Sequence, residues 1–340
     1  MKPDTFANRR MKMKTIGCAL AAAALLAAAA CEADHASARG AKTQATAGPA
    51  VADAAAAPPA ECEVLEKGLG LTDGLEESSG VAESRIRRGI YWTHNDSGHG
   101  PDLYPISIDG RELGKVRVEG ATDGDWEDIA SGRCPTGTGN CLYIADTGDN
   151  SRGDDGGKGS DGKGAGKHTV RLVVVPEPAI GARTVQGREY RATFPGKRTD
   201  IEALALLPDG SIYLVSKGIR NEVELFRWPT PLVEGQTATL ERIRRLAPEA
   251  AEIGDRVTGA SASPDGRWVA VRTYAALAFY RTADLLGSGA PFAQLDLEPL
   301  GEPQGEAVSL ADDGNVVLTS EGPGHHLPGT IAHLRCMLPQ

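Results

Sequence analysis

Four things are missing from this 340-residue chain, and each absence narrows the reading. No segment shows a helical period of useful length; residues 239–253 (TLERIRRLAPEAAEI) could make one turn, but Pro248 interrupts it. That argues against an all-helical fold. No apolar run is long enough for a convincing membrane span: residues 15–30 are mostly Ala and Leu, and the stretch is too short. There is no basic excess. Lys and Arg number 36 against 46 Asp and Glu, a net charge of −10. Residues 1–30 hold five bases (Lys2, Arg9, Arg10, Lys12 and Lys14) against Asp4, a net of +4, so the rest of the chain carries −14. So acidic a protein is a poor nonspecific binder of nucleic acid. Finally, no His sits at ligand spacing near the cysteines, which disfavours a zinc site.

Residues 1–30 read as a signal peptide, a basic stretch followed by the apolar run. Cys31 follows small residues and resembles the lipidation site of bacterial lipoproteins, with Ala28 where Leu is usual. Ordinary cleavage near the Ala run is the alternative. Arg9-Arg10 lacks the hydrophobic residues expected after a twin-arginine signal. Residues 31–60, rich in Ala, Thr, Pro and Gly, read as a disordered tether. The folded domain is expected at 61–340, exported and lipid-anchored to a membrane at the periplasmic or cell-surface side.

Outside the signal and Cys31, four cysteines remain, an even number suited to disulfides in an exported protein. Cys134 and Cys141 flank a turn-rich PTGTGN and are expected to pair, leaving Cys62 for Cys336.

What is present is an internal repeat. Five segments share a short strand opening with small or acidic residues, a turn, and a more apolar strand ending in polar ones. The five second strands are GIYWTHNDSG from Gly89, CLYIADTGDN from Cys141, SIYLVSKG from Ser211, RWVAVRTY from Arg267 and NVVLTSEG from Asn315. Asp-Gly turns mark three of the hairpins. Units of four antiparallel strands every fifty residues or so predict a single all-β domain, a β-propeller of five blades, with six possible if the long second unit hides two. Its excess is read instead as a flexible Gly-rich insert at 152–168. The last unit lacks a fourth strand, which residues 62–71 (CEVLEKGLGL) could supply, closing the ring with both chain ends and a Cys62–Cys336 bond.

WTHNDSG, DWEDIA, LYIADTGDN, TDIEALAL and EPQGEAVSL together resemble exported bacterial propellers of uncertain function. The likeness to calcium-dependent propellers (phytase-like esterases, gluconolactonase-type enzymes, paraoxonases) is more distant and architectural only. No catalytic signature transfers position by position, and a shared fold assigns no reaction.

Aligning the repeats puts chemistry on one face. The first strands begin at Ser79, Glu127, Glu202, Thr258 and Glu306; two residues earlier stand Glu77, Asp125, Asp200, Arg256 and Gln304. The second strands end at His94, Asp146, Ser216, Arg272 and Ser320, followed by Asn95, Thr147, Lys217, Thr273 and Glu321. Three glutamates converging on an axis, with Asn95, Asp96, Asp146, Asp149 and Asn150 as further oxygen donors on the same rim, suit a hard cation such as Ca²⁺. Lys217, Arg272 and Arg256 suit an anionic or ester ligand. His94 or Glu202 would then be the general base of a metal-dependent esterase, phosphoesterase or lactonase. The plainer readings are turn-capping for Asp149 and Asn150, a packed imidazole for His94, a loop pair for His325-His326, and blade packing for Trp92 and Trp126. A non-catalytic propeller docking a protein or cell-envelope partner on its acidic face is the second function class. On export, a labelled fatty acid is expected to mark wild type and to spare Cys31→Ala; equal labelling of both, or of neither, removes the lipid anchor.

Overall fold

The computed structural model describes residues 57–121, 124–148, 169–324 and 326–339. The signal, Cys31, the tether up to residue 56, Asp149, Asn150, the Gly-rich insert and His325 lie outside the described residues. No helix among the described residues is long and apolar enough to cross a membrane.

The chain forms five sheets, the five-bladed propeller expected. It starts with β1 (Cys62–Gly70). Blade one is β2 (Ser78–Glu83), β3 (Ile90–Asn95), β4 (Asp102–Ser107) and β5 (Val116–Glu119). Blade two is β6 (Trp126–Arg133), β7 (Asn140–Asp146), β8 (Thr169–Pro176) and, after β9 (Thr184–Gln186), β10 (Arg188–Thr193). Blade three is β11 (Ile201–Leu206), β12 (Ile212–Ser216), β13 (Val223–Trp228) and, after β14 (Thr237–Thr239), β15 (Glu241–Ala247). Blade four is β16 (Val257–Ala262), β17 (Trp268–Thr273), β18 (Ala276–Arg281), the short helix α1 (Thr282–Leu286) and β19 (Ala293–Asp296). Blade five is β20 (Gln304–Leu310), β21 (Asn315–Glu321) and β22 (Thr330–Cys336), with β1 as its outer strand. The ring therefore closes through both chain ends. Residues 239–253, read from sequence as a possible helical turn, instead hold the outer strand β15 in their first half, whose arginines pair with acids on β13 and its flanks.

Period-two alternation builds the core. On β7, Leu142 and Ile144 pack with Trp92 and Trp126 between blades one and two, while Tyr143 and Ala145 pack with Ile201 and Leu204 between blades two and three. An apolar cluster fills each of the five borders. The inner strands crowd around the axis and are correspondingly small in side chain, as in SSGVAE and VTGASA. At the end opposite the acidic residues, Asp209-Gly210, Asp265-Gly266 and Asp313-Gly314 turn the hairpins, their glycines at φ 87°, 74° and 78°, which an L side chain adopts at a cost.

Cys62 and Cys336 face each other across β1 and β22 and are bonded; Cys134 and Cys141 are bonded across the first hairpin of blade two. Two disulfides point to an oxidising, exported environment. The bonds differ in reach, with sequence separations of 274 and 7. Chain-entropy arguments make the long closure worth about 5 kcal/mol and the short one about 2–3 kcal/mol. Cys62→Ser/Cys336→Ser is therefore expected to lower the urea midpoint clearly more than Cys134→Ser/Cys141→Ser; equal losses would contradict closure by the chain ends.

Candidate functional site

Each inner strand carries a β-bulge at one equivalent place. The register slips between Ser78 and Gly80, Trp126 and Asp128, Ile201 and Ala203, Val257 and Gly259, and Gly305 and Ala307. The extra residues are Ser79, Glu127, Glu202, Thr258 and Glu306, the five that the repeat aligned. A bulge leaves its residue outside the ladder and re-aims the side chain. Ser79 and Thr258 use the freedom to donate to the carbonyls of Glu127 and Glu306 on the next blade, at 2.7 and 2.8 Å. The glutamates turn toward one mouth of the channel.

The strand entries and exits complete that mouth. In blades one to four the residue after the second strand donates its backbone N–H to the residue two before the bulge: Asp96 to Glu77 at 2.9 Å, Thr147 to Asp125 at 3.0 Å, Lys217 to Asp200 at 2.9 Å, Tyr274 to Arg256 at 3.2 Å. Carboxylate oxygens of Asp96, Asp125 and Glu127 all lie within 4.8 Å of one another. Glu127 is 4% exposed, and its Oε1 is buried with no hydrogen-bond partner. Gly148 lets the backbone close over this group, since a Cβ there would stand 1.8 Å from that Oε1 and 2.5 Å from Asp125. Lys217 Nζ lies 2.9 Å from Glu202 Oε2. Gln304 donates to Glu306 at 2.8 Å, and the phenol of Tyr274 stands near the same carboxylate. His99 reaches Glu77 at 3.2 Å from the rim.

Burial and crowding of like charge set the protonation. Burial, opposed by Lys217 and reinforced by Asp200 and Glu306, pushes Glu202 up to about 8. Burial and Glu321 push Glu306 to about 8. Burial with Asp96 and Glu77 raises Glu321 to about 7, and burial with Asp125 raises Asp96 to about 6. Glu127 is driven well above the usual carboxylate range by burial, then by Glu202, Asp96 and Asp125. Lys217 is held charged by Glu202 and Glu127 against its own burial.

The structure corrects the alignment of the second strands. Asn95, Asp146, Ser216, Thr273 and Ser320 are the equivalent ends, and Asp96, Thr147, Lys217, Tyr274 and Glu321 follow them. His94 and Arg272 had been placed one residue too late in the pattern, and a one-residue slip reverses the face. His94 is fully buried opposite Gly80, edge-on to Trp126, with Nδ1 3.0 Å from the Asn95 carbonyl and a pKa lowered to about 4 by burial. It is a packed imidazole and no base for the mouth. Arg272 is likewise buried and donates to the carbonyls of Ala307 and Thr319 and to Glu302, tying blade four to blade five. Neither side chain is available to a ligand. Asn95 spends its amide on Gly74 and Glu77, holding a loop. Asp146 pairs with Arg171 at 2.6 Å and accepts from the Asp125 N–H, so it positions Asp125. Arg256 stands half-buried at the rim position shared with Asp125 and Asp200. Glu127, Glu202, Glu306 and Lys217 do meet at one mouth. Asp96, one of the rim oxygen donors read from the sequence, joins Glu127 and Asp125; Asp125 and Glu321 stand at aligned repeat positions with no ligand signal of their own, and Tyr274 is hidden by the slipped register.

No family model and no curated protein matches the chain. Among solved structures it is similar to the aldose sugar dehydrogenase of Streptomyces coelicolor, with 16% identity over 83% of this chain and 100% of that one, TM-score 0.43. It is similar to a gluconolactonase of Xanthomonas campestris, with 14% identity over 84% and 99%, TM-score 0.39. It is also similar to the Malassezia sympodialis allergen Mala s 1, with 10% identity over 79% and 96%, TM-score 0.49. At such values none of them assigns a chemistry to this chain.

A group whose folded pKa is raised keeps a proton that the unfolded chain has shed, so it loses stability as pH climbs from its unfolded value to its folded one. For Glu202, Glu306 and Glu321 that window runs from 4.5 to about 7–8. Buried His94 acts oppositely, adding stability as pH rises from about 4 to 6.5, and is silent above that. In metal-free buffer the melting temperature is therefore expected to fall between pH 6.5 and 8.5, and to fall less in Glu306→Gln. A flat profile in wild type would contradict the clustered burial.

Proposed function

We propose that the acidic mouth is a divalent-cation site, with Asp96, Asp125 and Glu127 as protein ligands and Ca²⁺ as the ion. The observation that supports this best is the buried, unpartnered Oε1 of Glu127 within a three-carboxylate group. A buried carboxylate oxygen without a donor is costly, and a cation removes that cost. The donors are all hard oxygens, which suit Ca²⁺ with its about six to eight ligands better than softer metals.

When bound, such an ion supplies Lewis acidity toward an oxygen of a small anionic or ester ligand. The chain's own residues would do the rest. Lys217 adds positive charge beside the ion, and half-buried Arg256 lies on the same rim. Glu321, at about 7, is suited to exchanging a proton at neutral pH, a role that the buried His94 cannot fill. A metal-dependent hydrolase of esters, lactones or phosphoesters is the reading this supports. Docking of a protein partner is less favoured, because Glu127, Glu202 and Glu306 are all at most 4% exposed and out of reach of a flat surface. We place the domain outside the cytoplasm, held to a membrane through Cys31.

Thermal melts test the cation. At a hundredfold excess of Ca²⁺ over the dissociation constant, wild type is expected to gain about 3 kcal/mol. The gain should vanish in Glu127→Gln and in EDTA. A melt indifferent to Ca²⁺ and EDTA, with no heat of Ca²⁺ binding, would falsify the site. A panel of phosphoesters, lactones and aryl esters, run with and without EDTA, separates a hydrolase from a binding module.

A further inference from the structure

We propose that the end of the channel opposite the acidic mouth holds a second ligand site, an arginine-edged pocket for a small carboxylate with a short apolar body. It is independent of the cation reading and needs no metal.

The blades leave a cavity at that end. Leu206, Leu207 and Pro208 of blade three, Ser263 and Pro264 of blade four and Gly132 of blade two help to enclose about 180 Å³ beside the Pro-Asp-Gly turns. A space of about 150 Å³ is enough for benzene. Toward the axis lies a much narrower space of about 20 Å³, framed by residues from all five inner strands. Arg85 and Ser131 line both, so the larger cavity sits at the end of the channel.

Its charge is the reverse of the other mouth's. Arg85 and Arg133 edge the larger cavity and no carboxylate lines it, in a chain of 46 acids against 36 bases. Arg85 is held at two points. Its backbone N–H donates to Glu177 Oε2 at 3.2 Å, and its Nε and Nη2 both donate to the Ser131 carbonyl, at 3.1 and 3.0 Å. A carbonyl fixes the guanidinium plane without neutralising it. The Nη1–Nη2 edge keeps donors in the fork geometry that grips a carboxylate through two parallel bonds. Glu83, Asp312 and Glu177 act on Arg85 electrostatically, yet burial outweighs them and lowers its pKa. Glu177 is itself taken up by the Ser84 hydroxyl and the Trp92 indole. Arg133 stands exposed opposite Asn140 on the facing strand and makes no ion pair with a described residue.

The wall chooses among anions. Two leucines and two prolines face the arginines, so an anion with an apolar body fills the cavity better than a bare phosphate, which would leave that wall against water.

Titration calorimetry of the purified protein with benzoate is the test, run in EDTA so that the acidic mouth holds no metal. Wild type is expected to bind benzoate, and to bind inorganic phosphate more weakly. Arg85→Met is expected to bind benzoate about tenfold more weakly, and Arg133→Met to lose affinity by a smaller factor. Should Arg85→Met not fold, Arg85→Lys, which keeps the charge and loses the fork, is read in the same way. Absence of benzoate binding in wild type, undiminished affinity in either arginine variant, or phosphate bound as tightly as benzoate overturns the pocket. None of these results bears on the Ca²⁺ melts, so the two readings fail separately.

Discussion

The β-bulge repeated in all five inner strands is the constraint on which the rest depends. A regular strand sends alternate side chains to the two blade borders, and both borders are packed with apolar groups. A glutamate in that ladder would have to enter a core. The extra residue frees Glu127, Glu202 and Glu306 from the alternation and turns them toward the channel mouth. The same distortion releases the carbonyls of Glu127 and Glu306, which Ser79 and Thr258 on the preceding blades then satisfy. The hydroxyl bulges therefore stitch the ring at the same level at which the acidic bulges build the site.

Neighbours on β6 separate structure from function. Asp128 is fully buried, yet its carboxylate accepts from the N–H groups of Ile129, Leu204 and Ala260 and so ties blades two, three and four around the axis. Burial pushes its pKa up while those three donors pull it down. It is a satisfied carboxylate with a purely architectural account. Glu127, one residue earlier, is as deeply placed but keeps Oε1 without a donor. Of two adjacent buried acids, one is completed by backbone and one is left incomplete, and the second is the one on which the proposed cation reading rests.

The blades, their Asp-Gly turns, the closing strand and the pairing of Cys62 with Cys336 were legible because each leaves a periodic or countable mark in the sequence. The glutamate ring was legible for the same reason, since its members repeat in equivalent contexts. The exits of the second strands were not. Across a bulge two residues face one, so counting back through a hairpin slips by one wherever turn lengths differ. That slip promoted His94 and Arg272 to the rim and hid Tyr274. The one local clue for His94 is Gly80, where a Cβ would stand 2.6 Å from the imidazole, and it becomes a clue only once the two strands are paired. The stretch 241–247 misled in another way: as an outer strand it is largely solvated, and its alternation is blurred by arginines that answer acids on β13 and nearby.

Crowding acids at one end of a ring has a mechanical consequence. Their repulsion acts on the inner strands, and a closed ring can relieve it only by parting at a border. Besides its apolar cluster, every border carries a tie at the circumference. β9 leaves blade two to pair in parallel with β5 of blade one, and β14 leaves blade three to pair with β10 of blade two. Between blades three and four, Arg244 donates to the carbonyls of Asp284, Gly287 and Gly289 around the end of α1. Between blades four and five, residues 58–60 run along β19, exchanging backbone hydrogen bonds with Gln294. Between blades five and one, β1 continues directly into β2, and Leu71 donates to the Gly329 carbonyl at 2.8 Å. Restraint at the outer edge resists opening with the longest lever arm, and it adds to the inter-blade bonds of Ser79, Thr258 and Asp128 nearer the axis. Outer-edge pairing of this kind holds the blades together without drawing on the side chains that crowd the mouth.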